Sequence, residues 1–110
     1  MALAQETDIL LLDEPTTYLD MAHQLEVLEI VQQLNRTFGC TIIMVLHDLN
    51  HAARFSDELI AMKKGEVLHT GTPVQIMKAD ILKNVFQIDA KIMVDHEHQV
   101  PVCFSYNLMK

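Results

Sequence analysis

Two adjacent carboxylates, Asp13 and Glu14, follow a continuous run of apolar residues at positions 9–12. Such a run, without polar alternation, predicts a strand buried on both faces, as in a parallel sheet. Open α/β sheets bind their ligands at the carboxyl ends of these strands. Because successive side chains on a strand point in opposite directions, the two acids can do different work. Asp13 is suited to hold Mg²⁺, usually through water, and Glu14 to face an attacking water.

A histidine, His47, follows a second apolar run at positions 41–46, which is β-branched at its start and also predicts a buried strand. If the two strands are neighbours, His47 and Glu14 lie at the same edge of the sheet. An imidazole in that position can hydrogen-bond the γ-phosphate of a nucleotide and respond to its loss. The two strand ends therefore predict a site for phosphate hydrolysis.

A helix must connect these strands. Asp20 is a good N-cap, Gly39 is a good C-terminal stop, and polar residues separate the apolar ones between them. This spacing predicts an amphipathic helix that ends near Phe38 and makes strand, helix and strand a parallel βαβ unit. The apolar positions expected to lie in the core are Leu25, Leu28, Val31 and Leu34.

Shorter elements are predicted for the rest of the chain. Asp48 caps a short helix, Gly65 supplies the positive φ of a hairpin turn, and Thr72 with Pro73 opens a last helix that runs to about Phe86. The break at positions 71–73 divides the chain into residues 1–71 and residues 72–110. The other elements expected are a helix over 49–55, hairpin strands over 58–62 and 66–70, and late strands over 92–94 and 100–104.

Composition excludes several classes of function. The net charge of −7, with no basic stripe, argues against nucleic acid as a partner. The apolar runs are too short to span a bilayer, and no basic flank precedes an apolar stretch at the N-terminus, so neither a membrane span nor a signal peptide is expected. Cys40 and Cys103 fit no disulfide framework and are interpreted as buried, reduced thiols. A small metal-binding protein that uses His47 with His51, or the histidines within 96–98, stays open as an alternative.

The sequence Leu-Leu-Leu-Asp-Glu-Pro-Thr-Thr-Tyr-Leu-Asp at residues 10–20 resembles the Walker B motif and D-loop of ATP-binding cassette (ABC) ATPases. Val-Leu-His-Asp-Leu at residues 45–49 is similar to the H-loop of that family. The segments 58–67 and 71–73 are similar to its next hairpin, so the resemblance covers residues 1–86. The stretch 86–90 is suggestive of the subfamily that drives iron-siderophore, haem and cobalamin import.

This resemblance implies an α/β fold, namely part of a P-loop NTPase (RecA-like) core with a hairpin, a C-terminal helix and short strands. It implies that Asp13 is the Walker B ligand of Mg²⁺, Glu14 the catalytic base, Asp20 the D-loop acid at a dimer interface, and His47 the switch histidine. For the full-length family it further implies ATP and Mg²⁺ as cofactors, transmembrane permease subunits and a second ATPase subunit as partners, and a cytoplasmic location at the inner face of the membrane.

The phosphate-binding half of an ATP site is missing from the 110 residues. A P-loop requires Gly-x-x-x-x-Gly-Lys-Ser/Thr, whereas the chain has glycine only at positions 39, 65 and 71. The glutamine loop and the signature sequence of the family are also absent, and Met1 is interpreted as an internal methionine of a longer protein. We therefore expect a C-terminal fragment that alone binds neither Mg²⁺ nor ATP and does not hydrolyse ATP.

A missing Walker A strand would leave a slot in the sheet, with unpaired edges that invite pairing with another chain. The alternative to an ATPase fragment is thus a remnant without catalytic function, or an interaction module that forms homo-oligomers without binding nucleotide.

Overall fold

The computed structural model describes residues 9–109, which form two compact units that divide between His47 and Asp48. The first unit contains β1 (Ile9–Asp13), α1 (Met21–Phe38) and β2 (Thr41–Val45). The second contains α2 (Leu49–Phe55), β3 (Leu59–Lys63), β4 (Glu66–Gly71), α3 (Pro73–Ile76), α4 (Ala79–Phe86), β5 (Ile88–Asp95) and β6 (Val100–Leu108). The predicted subdivision into residues 1–71 and 72–110 remains a prediction.

The first unit is the predicted parallel βαβ unit. Strands β1 and β2 pair in parallel, with a register that runs without interruption from Ile9 opposite Thr41 to Asp13 opposite Val45. Helix α1 makes the connection that a parallel pair requires. The α/β fold inferred from the two apolar runs is therefore confirmed, and the register brings the carboxyl ends of both strands to one edge.

Both ends of α1 have the predicted caps. The Asp20 side chain accepts a hydrogen bond from the backbone N–H of His23 at 2.9 Å, which satisfies one of the free donors of the first turn. Gly39 adopts a left-handed conformation with φ of 71° and donates its N–H to Asn35 O. These two residues fix the helix length that the sequence predicts.

The predicted core face of α1 is only partly buried. Leu28 and Val31 are buried, Leu25 is half-buried, and Leu34 is exposed at 36%. The prediction of Leu34 as a core residue is therefore wrong. Leu34 lies in the last helical turn, whereas the buried positions lie nearer the middle of α1, so the covered stripe is shorter than the apolar one.

The predictions that β1 is buried on both faces and that β2 is a buried strand are also wrong. In β2, Ile43 is 44% exposed and Val45 is 45% exposed. Ile9 is 64% exposed and Leu11 is 72% exposed. Parallel sheets are ordinarily covered by helices on both faces. In the described part of the first unit, α1 is the one helix available, so it can cover only one face of the pair. The apolar residues of β1 are therefore typical of a strand that is covered on both faces, and β1 is more exposed than that.

The core of the second unit is formed where α2, α3 and α4 meet the β5–β6 hairpin. Ala53 and Leu82 are almost fully buried, and partly buried Leu49 and Ile92 pack around them. The buried cluster consists of Ala53, Met77, Leu82, Ala90 and Cys103. Cys103 is thus a buried free cysteine, as predicted, whereas Cys40 is only half-buried, so the prediction of burial is wrong for Cys40.

The single helix predicted from Thr72 to about Phe86 is wrong, because the chain breaks between α3 and α4. Met77, with φ of −79° and ψ of 67°, forms an inverse γ-turn in which Lys78 N–H donates to Ile76 O at 2.8 Å. Ile76 and Met77 are both buried, as are Leu82 and Val85 of α4. Because of the break, α3 and α4 run in different directions and each can bury its own apolar residues. The prediction of one continuous helix did not include this change of direction.

Both predicted hairpins are present, but the ends of their strands were predicted more accurately for the first than for the second. The β3–β4 hairpin closes through Lys64 and Gly65, which have φ of 53° and 79°, as a two-residue type I′ turn requires. Gly65 was predicted for this role and Lys64 was not. Strands β5 and β6 are longer than the predicted 92–94 and 100–104, and β5 begins at Ile88.

The start of α3 offers a test of local stability. Thr72 Oγ1 accepts from Gln75 N–H at 3.3 Å, and Gln75 Oε1 accepts from Thr72 N–H at 3.0 Å, which together form a capping box. We expect Thr72→Ala to lower the free energy of unfolding by about 1 kcal/mol, measured by urea denaturation. Thr72→Ser retains the hydroxyl and should leave the unfolding midpoint close to that of the parent chain. An equal loss in both variants would contradict the role of the cap.

Candidate functional site

Glu14 and His47 meet at the carboxyl edge of the parallel pair. His47 Nε2 lies 2.8 Å from Glu14 Oε1, within hydrogen-bonding distance. Glu14 directly follows β1, and His47 lies two residues beyond the end of β2. The prediction that these two side chains lie close together is therefore confirmed.

The backbone, rather than the attraction of the two side chains, sets this geometry. The His47 side chain is 78% exposed and that of Glu14 is 40% exposed, and exposed pairs contribute only about 0–1 kcal/mol. Glu14 N–H, in contrast, donates to Val45 O at 3.0 Å and extends the ladder by one residue beyond β1. The parallel register thus holds the carboxylate beside the segment that carries the imidazole.

Glu14 has a backbone conformation that is unfavourable for its type. Its φ is 50°, in the left-handed region, where a non-glycine residue costs about 1–3 kcal/mol. Glu14 O accepts from Thr17 N–H at 3.2 Å, so the chain turns sharply at Pro15. Pro15 suits the second position of such a turn because its φ is fixed. The strain falls on the residue that carries the candidate base.

A second turn follows at once. Leu19 N–H donates to Thr16 O at 3.3 Å, and Tyr18, with φ of 68°, takes the turn position at which a type II turn requires positive φ. The Tyr18 side chain is fully exposed. These two turns lead the chain from the carboxylates to the cap of α1 at Asp20.

Asp20 has a structural role that the geometry shows directly. Besides capping α1, its Oδ1 lies 2.8 Å from His23 Nδ1. Within the contacts of residues 9–109, no hydrogen bond or ion pair joins Asp20 to Glu14 or His47. The structure therefore brings together two of the four predicted site residues by direct contact. The interface role of Asp20 remains a prediction.

Asp13 is the last residue of β1 and pairs with Val45 in the ladder. Its carboxylate is exposed and takes part in none of the ion pairs or hydrogen bonds of the described residues. In residues 9–109 no group of three or more potential ligands is arranged to hold a metal ion. This donor set fits Mg²⁺, which is commonly bound by one or two carboxylates together with substrate phosphate. It does not fit a cage made of protein ligands alone.

The histidines considered as an alternative metal site are arranged differently. His98 Nδ1 lies 2.7 Å from Asp95 Oδ2 at the tip of the β5–β6 hairpin, and this hydrogen bond lowers the pKa of the Asp95 carboxyl. His51 lies 3.8 Å from Asp48, the cap of α2. His98 and His51 thus each pair with the acid three residues before them, as contacts of a turn and of a helix cap.

Comparison with curated proteins gives a consistent result. The chain is 61% identical over all 110 residues to the iron(3+)-hydroxamate import ATP-binding protein FhuC of Bacillus subtilis. It is 46% identical over 110 residues to the achromobactin transport ATP-binding protein CbrD of Dickeya dadantii. It is 45% identical over 95 residues to the ferric enterobactin transport ATP-binding protein FepC of Escherichia coli.

Over its whole length, the chain is homologous to the ATP-binding subunits of ABC importers. No protein-family model matches it. The chain spans 41% of the length of the Bacillus subtilis protein and 35% of the Escherichia coli protein. A chain of this length corresponds to less than half of such an ABC ATPase subunit, as the missing motifs predicted.

Solved structures agree on the fold. An inward-facing ABC transporter described as metal-chelate type matches 89% of the chain with a TM-score of 0.72 at 22% identity, and the match covers 40% of that structure's chain. The cbiO1 protein of Clostridium perfringens, part of the ABC transporter complex cbiONQ, matches 70% of the chain with a TM-score of 0.60 at 28% identity, which is 31% of its own chain. The predicted fold class is therefore confirmed as part of an ABC ATPase domain.

One further observation concerns the membrane. Among residues 9–109, no helix combines the length and the apolar character needed to cross a bilayer.

Proposed function

We propose that this chain supplies the water-handling and Mg²⁺-handling half of the ATP site of an ABC importer that takes up iron-siderophores or related metal chelates. The contact between Glu14 Oε1 and His47 Nε2, 2.8 Å apart at the shared edge of two parallel strands, carries this proposal. Hydrolysis of the γ-phosphate needs a group that orients water beside a group that senses the phosphate. The two side chains are placed to fill these roles.

In this proposal Glu14 accepts the proton of the attacking water. The backbone at Glu14 is held at the strand end by the hydrogen bond from its own N–H to Val45 O, which places the carboxylate beside His47. His47 keeps the carboxylate oriented and can donate from Nε2 to a γ-phosphate oxygen when nucleotide is present. A base held in this way needs little reorganisation at the moment of reaction.

Asp13 is the residue of this half-site that would hold Mg²⁺. An ion held there would neutralise negative charge on the phosphates. Asp13 is the last residue of β1 and directly precedes Glu14. Its carboxylate is exposed, so it can bind the ion either directly or through a water molecule. Asp20 is proposed to act at the seam with a second ATPase subunit, where its capping of α1 fixes its position.

The substrate class of the importer rests on the relatives. Those named above are ATP-binding proteins for iron(3+)-hydroxamate import, achromobactin transport and ferric enterobactin transport. We propose the same class for the transporter to which this chain contributes, with permease subunits and a second ATPase subunit as partners and with a position at the inner face of the membrane.

The chain alone should not hydrolyse ATP, because the sequence contains no P-loop to bind the phosphates. A chimera tests both halves of the proposal. In it, this chain replaces the matching 41% of the Bacillus subtilis hydroxamate-import ATPase, to which it is 61% identical. We expect Mg²⁺-dependent ATP hydrolysis by the chimera with its permease and none by the chain alone. Turnover by the purified chain, or a folded chimera without turnover, would contradict the proposal.

A second candidate function has one observation in its favour. Ile9, Leu11 and Ile43 on the parallel pair are exposed at 64%, 72% and 44%. Exposed apolar strands are sites of association with other chains. The alternative is a module that forms homo-oligomers without nucleotide, and light scattering of the purified chain distinguishes the two. A monomer with ordered strands would exclude this candidate.

A further inference from the structure

One side chain of α1 ties the helix to the turn segment that precedes it. Gln24 Nε2 donates to Leu19 O at 2.9 Å, and both residues are half-buried. Leu19 directly precedes the cap Asp20, and Gln24 is the fourth residue of α1. Residues at these two positions often form an apolar contact that fixes the angle at which the chain enters a helix. Here a hydrogen bond joins them instead.

The segment that Gln24 holds has an unusual backbone. Residues 14–19 connect β1 to the cap of α1 and contain two hydrogen-bonded turns. Glu14 and Tyr18 in this segment both have positive φ, which residues other than glycine rarely adopt. Within residues 9–109, Gln24 is the one side chain that hydrogen-bonds the backbone of the segment. Its amide therefore helps to keep the segment in a conformation that its own residues disfavour.

Asp20, the next residue, contacts the same helical turn. Its Oδ1 accepts from His23 N–H at 2.9 Å and lies 2.8 Å from His23 Nδ1. Its backbone oxygen accepts from Gln24 N–H at 2.9 Å. Because a peptide unit is planar, the bond that holds Leu19 O also fixes the direction of the Asp20 N–Cα bond. Gln24 thus acts on the backbone from which the Asp20 side chain extends.

We propose that Gln24 is a positioning residue for Asp20. By holding the peptide between Leu19 and Asp20 against α1, its amide fixes the direction in which the carboxylate leaves the backbone. Both contacts of His23 are with Oδ1, so Oδ2 is the oxygen that faces a second ATPase subunit. The proposal rests on the interface role proposed for Asp20 above. All of these residues lie in the first unit, and no feature of the sequence singled out Gln24.

The alternative is that Gln24 only stabilises the first turn of α1. In that case its removal lowers the stability of the helix and leaves the rotamer of the Asp20 side chain unchanged. A positioning residue also changes that rotamer and the reaction that depends on the interface. The test therefore needs a readout at the Asp20 side chain that is separate from the readout for the helix.

We suggest Gln24→Ala, with Gln33→Ala as the matched control, because Gln33 is exposed on α1. Alanine is the strongest helix former, so neither replacement weakens α1 through helix propensity. The NMR couplings between Hα and Hβ of Asp20 report its χ1 rotamer. In the Gln24 variant they should move from the values of one staggered rotamer to averaged values, and in the control they should stay unchanged. Hydrogen exchange at Leu28, in the middle of α1, reports the helix and should be equal in both variants.

Turnover of the chimera is the second readout. In Gln24→Ala, kcat should fall about three- to tenfold, which corresponds to the loss of one net hydrogen bond. The KM for ATP should stay unchanged, because neither Gln24 nor Asp20 is proposed to bind the nucleotide. Gln33→Ala should retain the parental kcat and KM. A parent chimera without turnover would contradict the proposed function, and the Asp20 couplings would then decide on Gln24 by themselves.

Unchanged Asp20 couplings, or averaged couplings with a parental kcat, would overturn the proposal. If Gln24→Ala does not fold, Gln24→Glu decides, because its carboxylate has the shape of the amide but cannot donate to Leu19 O at neutral pH. A carboxylate in the first turns of a helix is favourable, so α1 should persist in this variant. The same changes are expected there, and their absence would count against positioning.

Discussion

Replacement of Glu14 by Gln should reduce ATP hydrolysis by the chimera about 100- to 10,000-fold, the range typical for loss of a general base. The amide has the size of the carboxylate and can still hydrogen-bond His47, but it cannot take a proton from water at neutral pH. The φ of 50° at this position persists in the variant, because it is set by the turn at Pro15 and the ladder bond to Val45. The effect should therefore be chemical rather than structural.

The measurement is steady-state phosphate release by the purified chimera with its permease, compared at equal Mg²⁺ and ATP. Glu29→Gln is the matched control. Glu29 is exposed on α1, and its replacement by Gln removes the same charge as Glu14→Gln does. We expect the control to retain the turnover of the parent chimera. Nucleotide binding should survive in the Glu14 variant. Full turnover in Glu14→Gln would show that another group accepts the proton.

Replacement of His47 by Ala should reduce turnover about 100- to 1,000-fold, as removal of a preorganised donor to a reacting oxygen does in other enzymes. Two effects combine in this variant. The donor to the γ-phosphate is lost, and Glu14 loses the contact, at 2.8 Å, that orients its carboxylate. The loss should be smaller than for Glu14→Gln, because the base itself remains.

Stability provides the control for this variant. The His47 side chain is 78% exposed, so its removal should change the free energy of unfolding of the isolated chain by less than about 1 kcal/mol. His96→Ala, at the exposed tip of the β5–β6 hairpin, should leave turnover unchanged. A His47 variant that hydrolyses ATP at the parental rate would remove His47 from the mechanism. One that loses turnover only because it unfolds would show itself in the denaturation curve.

The short helices and the C-terminal hairpin show the limits of sequence reasoning in this chain. Thr72 and Pro73 predicted the start of α3 correctly, because a cap depends on neighbours three residues away. The break at Met77 carries no local signal, since neither glycine nor proline occurs there. It depends on which residues the core buries, and that is decided by contacts with the β5–β6 hairpin.

The candidate site divides in the same way. The sequence by itself predicted Asp13, Glu14 and His47 as site residues and determined the parallel βαβ unit that carries them, because apolar runs that end in chemically distinctive residues are local patterns. The resemblance to the family rested on the motifs at residues 10–20 and 45–49. The proximity of Glu14 and His47 was also predicted, on the expectation that the two strands are neighbours, and the structure places the two side chains 2.8 Å apart.

Only the tertiary structure decided what lies outside local patterns. The exposure of Ile9 and Leu11 depends on which layers cover β1, and the amide contact of Asn50 with Cys103 joins residues 53 positions apart. Burial and long-range hydrogen bonds are properties of the assembled chain, so no window of the sequence contains them. The residues proposed for the half-site could therefore be named from the sequence, whereas a long-range contact such as that of Asn50 with Cys103 could not.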